Sequence, residues 1–105
     1  MANQALTEAV YYILLSLTDP LHGYGIMQNV EKLSGGRVRL AAGTLYGALN
    51  TLLDKGWIEA LPETESSRKK EYRITVSGRQ TVLTEIGRLR ELLQNGENIT
   101  KGWSV

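Results

Sequence analysis

Leu6, Val10, Ile13, Leu14 and Leu17 recur at steps of three and four, which places them on one face of a helix. Pro20 disfavours helix in the residue before it, so Thr18-Asp19-Pro20 marks its end. Tyr11, Tyr12 and Leu15 lie off that stripe. A second buried face is therefore expected, in a central core helix or against a second copy of the chain. Ile26, Met27, Val30 and Leu33 form a shorter stripe, opened by Leu21-His22-Gly23-Tyr24-Gly25 and closed by Ser34-Gly35-Gly36. Arg37-Val38-Arg39-Leu40 alternates polar and apolar, which predicts a short strand.

Residues 41–55 predict a third helix with Leu45, Leu49, Leu52 and Leu53 as its buried stripe and Gly56 as its stop. Its other faces carry Gly43, Thr44, Tyr46, Gly47, Asn50 and Thr51, with no charge before Asp54. A solvated helix face usually carries Lys and Glu, so this one suits close approach to something. Residues 57–61 and 71–74 read as two strands of a hairpin, with Tyr72 and Ile74 facing the same way. Thr75 is the expected cap of a last helix, whose Val82, Ile86, Leu89 and Leu93 follow at steps of 4, 3 and 4. Leu83 and Leu92 widen that seam, Gly87 interrupts it, and the pattern carries no further than Gln94-Asn95-Gly96, with Ile99 and Trp103 as the only anchors of the tail. Helices followed by a hairpin define a mainly α (α+β) fold: a winged helix-turn-helix with a two-stranded wing and a C-terminal dimerisation helix. Residues 1–75 would form the DNA-binding domain and residues 76–105 the dimerisation helix and tail.

A length of 105 residues suits one domain with a thin core that partner burial would help. Cysteine is absent and His22 is the single histidine. Thiolate metal sites, cysteine nucleophiles and a three-histidine metal site are thereby excluded. His22 reads as a helix-start residue, with nothing paired to it as in a catalytic triad. No metal, no cofactor and no enzymatic activity are expected. The longest apolar run, residues 10–15, is far short of the ~18–20 residues that cross a bilayer. With no basic leader, the expected location is the cytoplasm, with no membrane partner.

The formal charge of +1 is unevenly distributed. Residues 1–36 sum to -2, whereas residues 68–79 sum to +4 through Arg68, Lys69, Lys70, Arg73 and Arg79 against Glu71. A nearly neutral chain with one basic segment implies a local anion-binding surface. In a helix-turn-helix the second helix of the pair enters the major groove, and its N-terminal part meets base edges. Thr44 can bond a phosphate or a base, and Arg68, Lys69 and Lys70 at the hairpin tip would hold the phosphate backbone. Tyr24 either staples its helix to the core or bonds a phosphate.

Four segments together resemble the PadR family of winged-helix transcriptional regulators. Pro20-Leu21-His22-Gly23-Tyr24 is similar to its PLHGY element, and Gly43-Thr44-Leu45-Tyr46-Gly47-Ala48-Leu49 to its recognition helix. Leu52-Leu53-Asp54-Lys55-Gly56-Trp57-Ile58 matches the register of its turn into the wing. Arg68-Lys69-Lys70-Glu71-Tyr72-Arg73-Ile74-Thr75, followed by Gly78-Arg79, resembles its wing and last helix start. The resemblance spans roughly residues 6–93 and is of the short branch with a single C-terminal helix. It implies a homodimeric repressor of double-stranded operator DNA, released in many members by a small molecule. It carries DNA contact onto Tyr24, Thr44, Tyr46, Lys69 and Lys70, and Arg68 joins them by its place in the wing.

Val82, Ile86, Leu89 and Leu93, with help from residues 6–17, are the expected dimer interface. A small aromatic or hydrophobic effector would sit there, lined by Tyr12 and Trp103. Many relatives carry Ser-Pro where Ala41-Ala42 stand, so a side-chain cap is missing, a loss of ~0.5–2 kcal/mol. The rival class is a winged-helix protein-protein interaction module without a DNA role; the basic hairpin and the uncharged helix face favour DNA.

Overall fold

The structure is a computed structural model that describes residues 5–63 and 69–105. Helix α1 spans Glu8–Ser16 and is opened by Thr7, whose hydroxyl accepts the Val10 N–H at 3.1 Å. The apolar stripe does what its spacing predicts: Ile13, Leu14 and Leu17 are fully buried. Ser16 is buried among them and fully satisfied. It donates to the Tyr12 carbonyl at 2.7 Å and accepts from Asn29 Nδ2 at 2.9 Å, which ties α1 to the next helix, α2 (Gly23–Leu33).

Between these helices Leu21–His22 forms strand β1. Helix α3 (Ala42–Asp54), β2 (Ile58–Ala60), β3 (Glu71–Ile74) and α4 (Val76–Ile99) follow. The sheet order is β1-β3-β2, antiparallel throughout, with Leu21 opposite Tyr72 and Ile58 opposite Ile74. The wing sheet therefore has a third strand, and it is not the one the alternation suggested. Residues 37–40 pair with no strand; Val38 instead donates its N–H to Ser34 Oγ at 2.9 Å. Alternation reports which side chains turn inward, and Val38 and Leu40 do pack on the core. It does not report whether a backbone finds a ladder partner. Two residues are too few to show a period, so β1 left no trace in the pattern.

The joint between α3, the wing and α4 is built backbone to backbone. Gly56 at φ +75 closes α3, a conformation that glycine adopts without strain. Thr75 caps α4 by accepting the Gly78 N–H at 3.1 Å, and its hydroxyl donates to the Gly56 carbonyl at 2.6 Å. A Cβ on Gly78 would stand 2.1 Å from the Trp57 carbonyl oxygen, so only glycine lets α4 start this close to the wing. Further along, Glu85 is buried, accepting the Leu6 N–H at 3.1 Å and two bonds from Arg88 at 2.7 and 2.8 Å. This carboxylate pins α4 to the start of α1.

Helix α4 runs on through Gly87 and Gly96 to Ile99, beyond the stretch its hydrophobic pattern covers. A helical glycine costs about 1 kcal/mol relative to alanine, too little to stop a helix already propagating. Gly102, at φ +84, follows the actual end. Val82 belongs to the core of the chain, together with Ile26, Val30, Leu45, Leu49, Leu52, Ile58, Tyr72 and Ile74. The expected seam is therefore divided. Val82 lies in the core, Ile86 packs against it, and Leu89 and Leu93 are exposed. From Leu89 onward α4 has no buried residue.

Candidate nucleic-acid interface

Helix α3 has two unlike faces. Leu45, Leu49 and Leu52 are buried beneath it, whereas Gly43, Thr44, Tyr46, Gly47, Asn50 and Thr51 face out. Ala41 stands at the N-cap and supplies no side-chain bond, so the first-turn amides of α3 keep their donor capacity. Among the described residues Thr44 makes no side-chain hydrogen bond, while Thr51 returns its hydroxyl to the Gly47 carbonyl at 3.2 Å. The helix presents small and hydroxyl-bearing groups around uncapped, partially positive amides, an arrangement that accepts an anion or a base edge.

The start of α2 lies alongside. His22 caps it, Nδ1 accepting the Gly25 N–H at 3.2 Å, which accounts for the single histidine as a helix-start residue. Tyr24 is 61% exposed and Tyr46 47% exposed. The Tyr46 phenol reaches across from α3 onto Gly23, where an added Cβ would lie 2.4 Å from Oη. Behind them Tyr72 of β3 is buried, and that burial, with a smaller contribution from Tyr46, holds its phenol above the usual tyrosine range. The start of α2 and the outer face of α3 thus meet at one surface.

In the wing Lys69 and Lys70 are exposed, and Arg68 lies outside the described residues. Of the rest of the basic segment, Arg73 is paired and Arg79 is exposed. Arg73 is held across the β2–β3 ladder by Glu59 at 3.1 Å. Arg79 lies on the first turns of α4, beside an apolar cleft of about 220 Å³ walled by Leu14, Leu15, Ile74 and Leu83. Two further arginines are paired. Arg37 makes a bidentate contact with Glu8, holding that carboxyl below its ordinary value, and Arg39 faces Glu31 at 3.7 Å. Lys55 rests over the Trp57 ring at 4.9 Å. Positive charge summed along the sequence therefore overstates what the surface offers.

The structure brings Tyr24, Thr44 and Tyr46 onto the exposed α2–α3 surface and leaves Lys69 and Lys70 exposed at the wing. It separates the expected effector residues. Tyr12 packs against the core beside Tyr11, with ring centroids 5.8 Å apart, whereas Trp103 is 70% exposed beyond the end of α4. Two residues escape the hydrophobic pattern. Gly23 is one; its only trace is its place beside His22 in the PLHGY-like element. Glu85 is the other, and no spacing distinguishes it from the solvated acids of the same helix.

A helix-turn-helix of α2 and α3, followed by a sheet of β2 and β3 and a long last helix, is the winged-helix fold of transcription regulators. Within that class the chain belongs to the transcriptional regulator PadR-like family, whose model matches residues 12–88. It is 38% identical over 79 residues to an uncharacterized 37.1 kDa protein in a transposon from Streptomyces fradiae, a match covering 74% of this chain. The chain spans about a fifth of that relative, 22% of its length. A PadR family transcriptional regulator from Eggerthella lenta shares the fold at a TM-score of 0.69 and 21% identity, covering 89% of this chain and 81% of that one. A PadR family regulator from Clostridium difficile does so at 0.69 and 20%, covering 90% and 98%. No helix among the described residues is long and apolar enough to cross a membrane.

Proposed function

We propose that this transcription regulator is a homodimeric repressor that binds double-stranded operator DNA sequence-specifically, with residues 1–75 as the DNA-binding unit and residues 76–105 as dimerisation helix and tail. One observation carries the reading: α3 buries Leu45, Leu49 and Leu52 and exposes Gly43, Thr44, Tyr46 and Gly47 around uncapped amides. An uncharged, small-residue helix face lets the backbone lie close against base edges, with hydroxyl groups to meet them. In this reading Thr44 reads a base, while Tyr46, Tyr24, Lys69, Lys70 and Arg68 hold phosphates.

Dimerisation uses the exposed part of the α4 seam, Leu89 and Leu93, extended by Leu92 and Ile99 and flanked by Ile86. Exposed apolar residues on one helix without an intramolecular partner mark a surface that another chain covers. Tyr12 and Trp103, apart in one subunit, would then line an effector site between two, where a small aromatic or hydrophobic ligand releases the DNA. The test is selection of duplexes from a random pool by the purified protein, followed by gel shift across a salt series. Enrichment of a pseudo-palindrome with half-sites one DNA turn apart supports the reading. Retention of no duplex overturns it in favour of a protein-binding winged helix.

A further inference from the structure

We propose that Gly23 is a positioning residue for DNA recognition, the seat that holds the Tyr46 phenol against the start of α2. The inference rests on the DNA-binding reading above and adds to it a residue that touches no DNA. A Cβ at position 23 would lie 2.4 Å from Tyr46 Oη, 2.9 Å from Cζ and 3.4 Å from Cε1, and these are its three nearest atoms. No side chain, not even a methyl group, fits while the phenol is there.

The consequence differs from that at Gly78, where the obstruction is the Trp57 carbonyl, which cannot swing aside. At Gly23 the obstruction is the far end of a half-exposed side chain. A methyl group on Gly23 would push the phenol into solvent and take its place, leaving the α2–α3 packing below intact. The fold therefore does not require glycine at this position; the location of the Tyr46 ring does. Seated there, the ring bridges α3 and the start of α2. The third helix and the start of α2 then offer one preformed surface.

A tyrosine already fixed in the free protein meets DNA without losing rotamer freedom at that moment. Ordering one side chain on binding corresponds to roughly 2- to 12-fold in affinity. Gly23→Ala is expected to weaken binding by about that factor, toward the level of Tyr46→Ala.

The experiment compares Gly23→Ala, Tyr46→Ala and the double variant on duplexes that the wild-type protein selects from a random pool, with thermal melts of each. The expected result is a Gly23→Ala protein that melts within a few degrees of wild type and binds more weakly. In the Tyr46→Ala background the same substitution should change nothing further. Fluorine NMR with 3-fluorotyrosine supplies a readout independent of DNA: the Tyr46 signal, assigned with Tyr46→Phe, should move in Gly23→Ala while the signals of Tyr11 and Tyr12 on α1 stay. Losses that add in the double variant, an unmoved Tyr46 signal, or unchanged affinity in Gly23→Ala each overturn the positioning role alone. A wild-type protein that retains no duplex overturns the DNA reading itself, and the role of the seat in recognition with it.

Discussion

Leu93→Asp should dissociate the proposed dimer without disturbing the subunit. Leu93 is 62% exposed in the single chain, so most of its side chain remains to be buried by a partner. Full burial of a leucine is worth about 1.5–3 kcal/mol, which leaves about 1–2 kcal/mol per copy for pairing. Two-fold symmetry counts each substitution twice, giving about 2–4 kcal/mol per dimer, or roughly a 30- to 700-fold weaker association. The carboxylate adds its own desolvation cost, so this range is a lower bound. Ile86→Asp is the poorer probe, because Ile86 also packs against its own core and its replacement would confound dissociation with unfolding. Sedimentation or light scattering over a dilution series gives the association constant, and circular dichroism confirms that the variant stays helical. A wild-type chain that is a folded monomer at high micromolar concentration contradicts the dimer. A Leu93→Asp variant with an unchanged constant removes the seam from it.

Thr44→Ala should cut the ratio of specific to non-specific DNA affinity, by about 1–3 kcal/mol for a good base contact; competition gel shifts measure it. Replacing Lys69 and Lys70 with alanine should weaken selected and random duplexes alike, and each phosphate left without its lysine should reduce the salt slope by about 0.9. The Glu85 carboxyl is held below its ordinary value of 4.5, first by Arg88 and also by the Leu6 N–H, against a raising effect of burial. Its folded pKa lies below the unfolded one, so its contribution to stability is complete above about pH 4.5 and is lost as pH falls through the folded value. Thermal melts from neutral pH downward should show that loss in the wild type and a smaller one in Glu85→Gln.

Periodicity exposes the helices because each buries one stripe against the same core. Leu45, Leu49 and Leu52 are buried and Thr44 and Tyr46 are not, as steps of three and four require. Thr75 could be placed as a cap because a hydroxyl before a helix has a local role. What the pattern could not show depends on which groups meet in space. Val82 and Leu93 both fall on the seam of α4, yet one lies in the core and the other beyond its edge, so the same spacing serves a packed interior and an open surface. Arg73 counts toward the basic segment until the register of the ladder sets it opposite Glu59. Gly23 resembles any helix-start glycine until α3 brings Tyr46 over it.

The way α4 is built in bears on how a dimer of this chain would regulate DNA binding. Its first turns are fixed at four points: Thr75 to the Gly56 carbonyl, Gly78 against the Trp57 carbonyl, Val82 in the core and Glu85 on the Leu6 N–H. Two of these lie within three residues of the end of α3. The exposed half of α4 is a direct continuation of that fixed half, a helix of 24 residues, about 36 Å long. It cannot tilt as a unit without moving the residues that terminate α3. If two chains pair along Leu89 and Leu93, the angle at which the α4 helices cross sets the separation of the two α3 helices, which major-groove binding requires to be about 34–36 Å. A ligand between the seams would then need no contact with the DNA-facing surface. A differential affinity for two crossing angles would be enough, and the fixed joint would carry the difference to Thr44 and Tyr46.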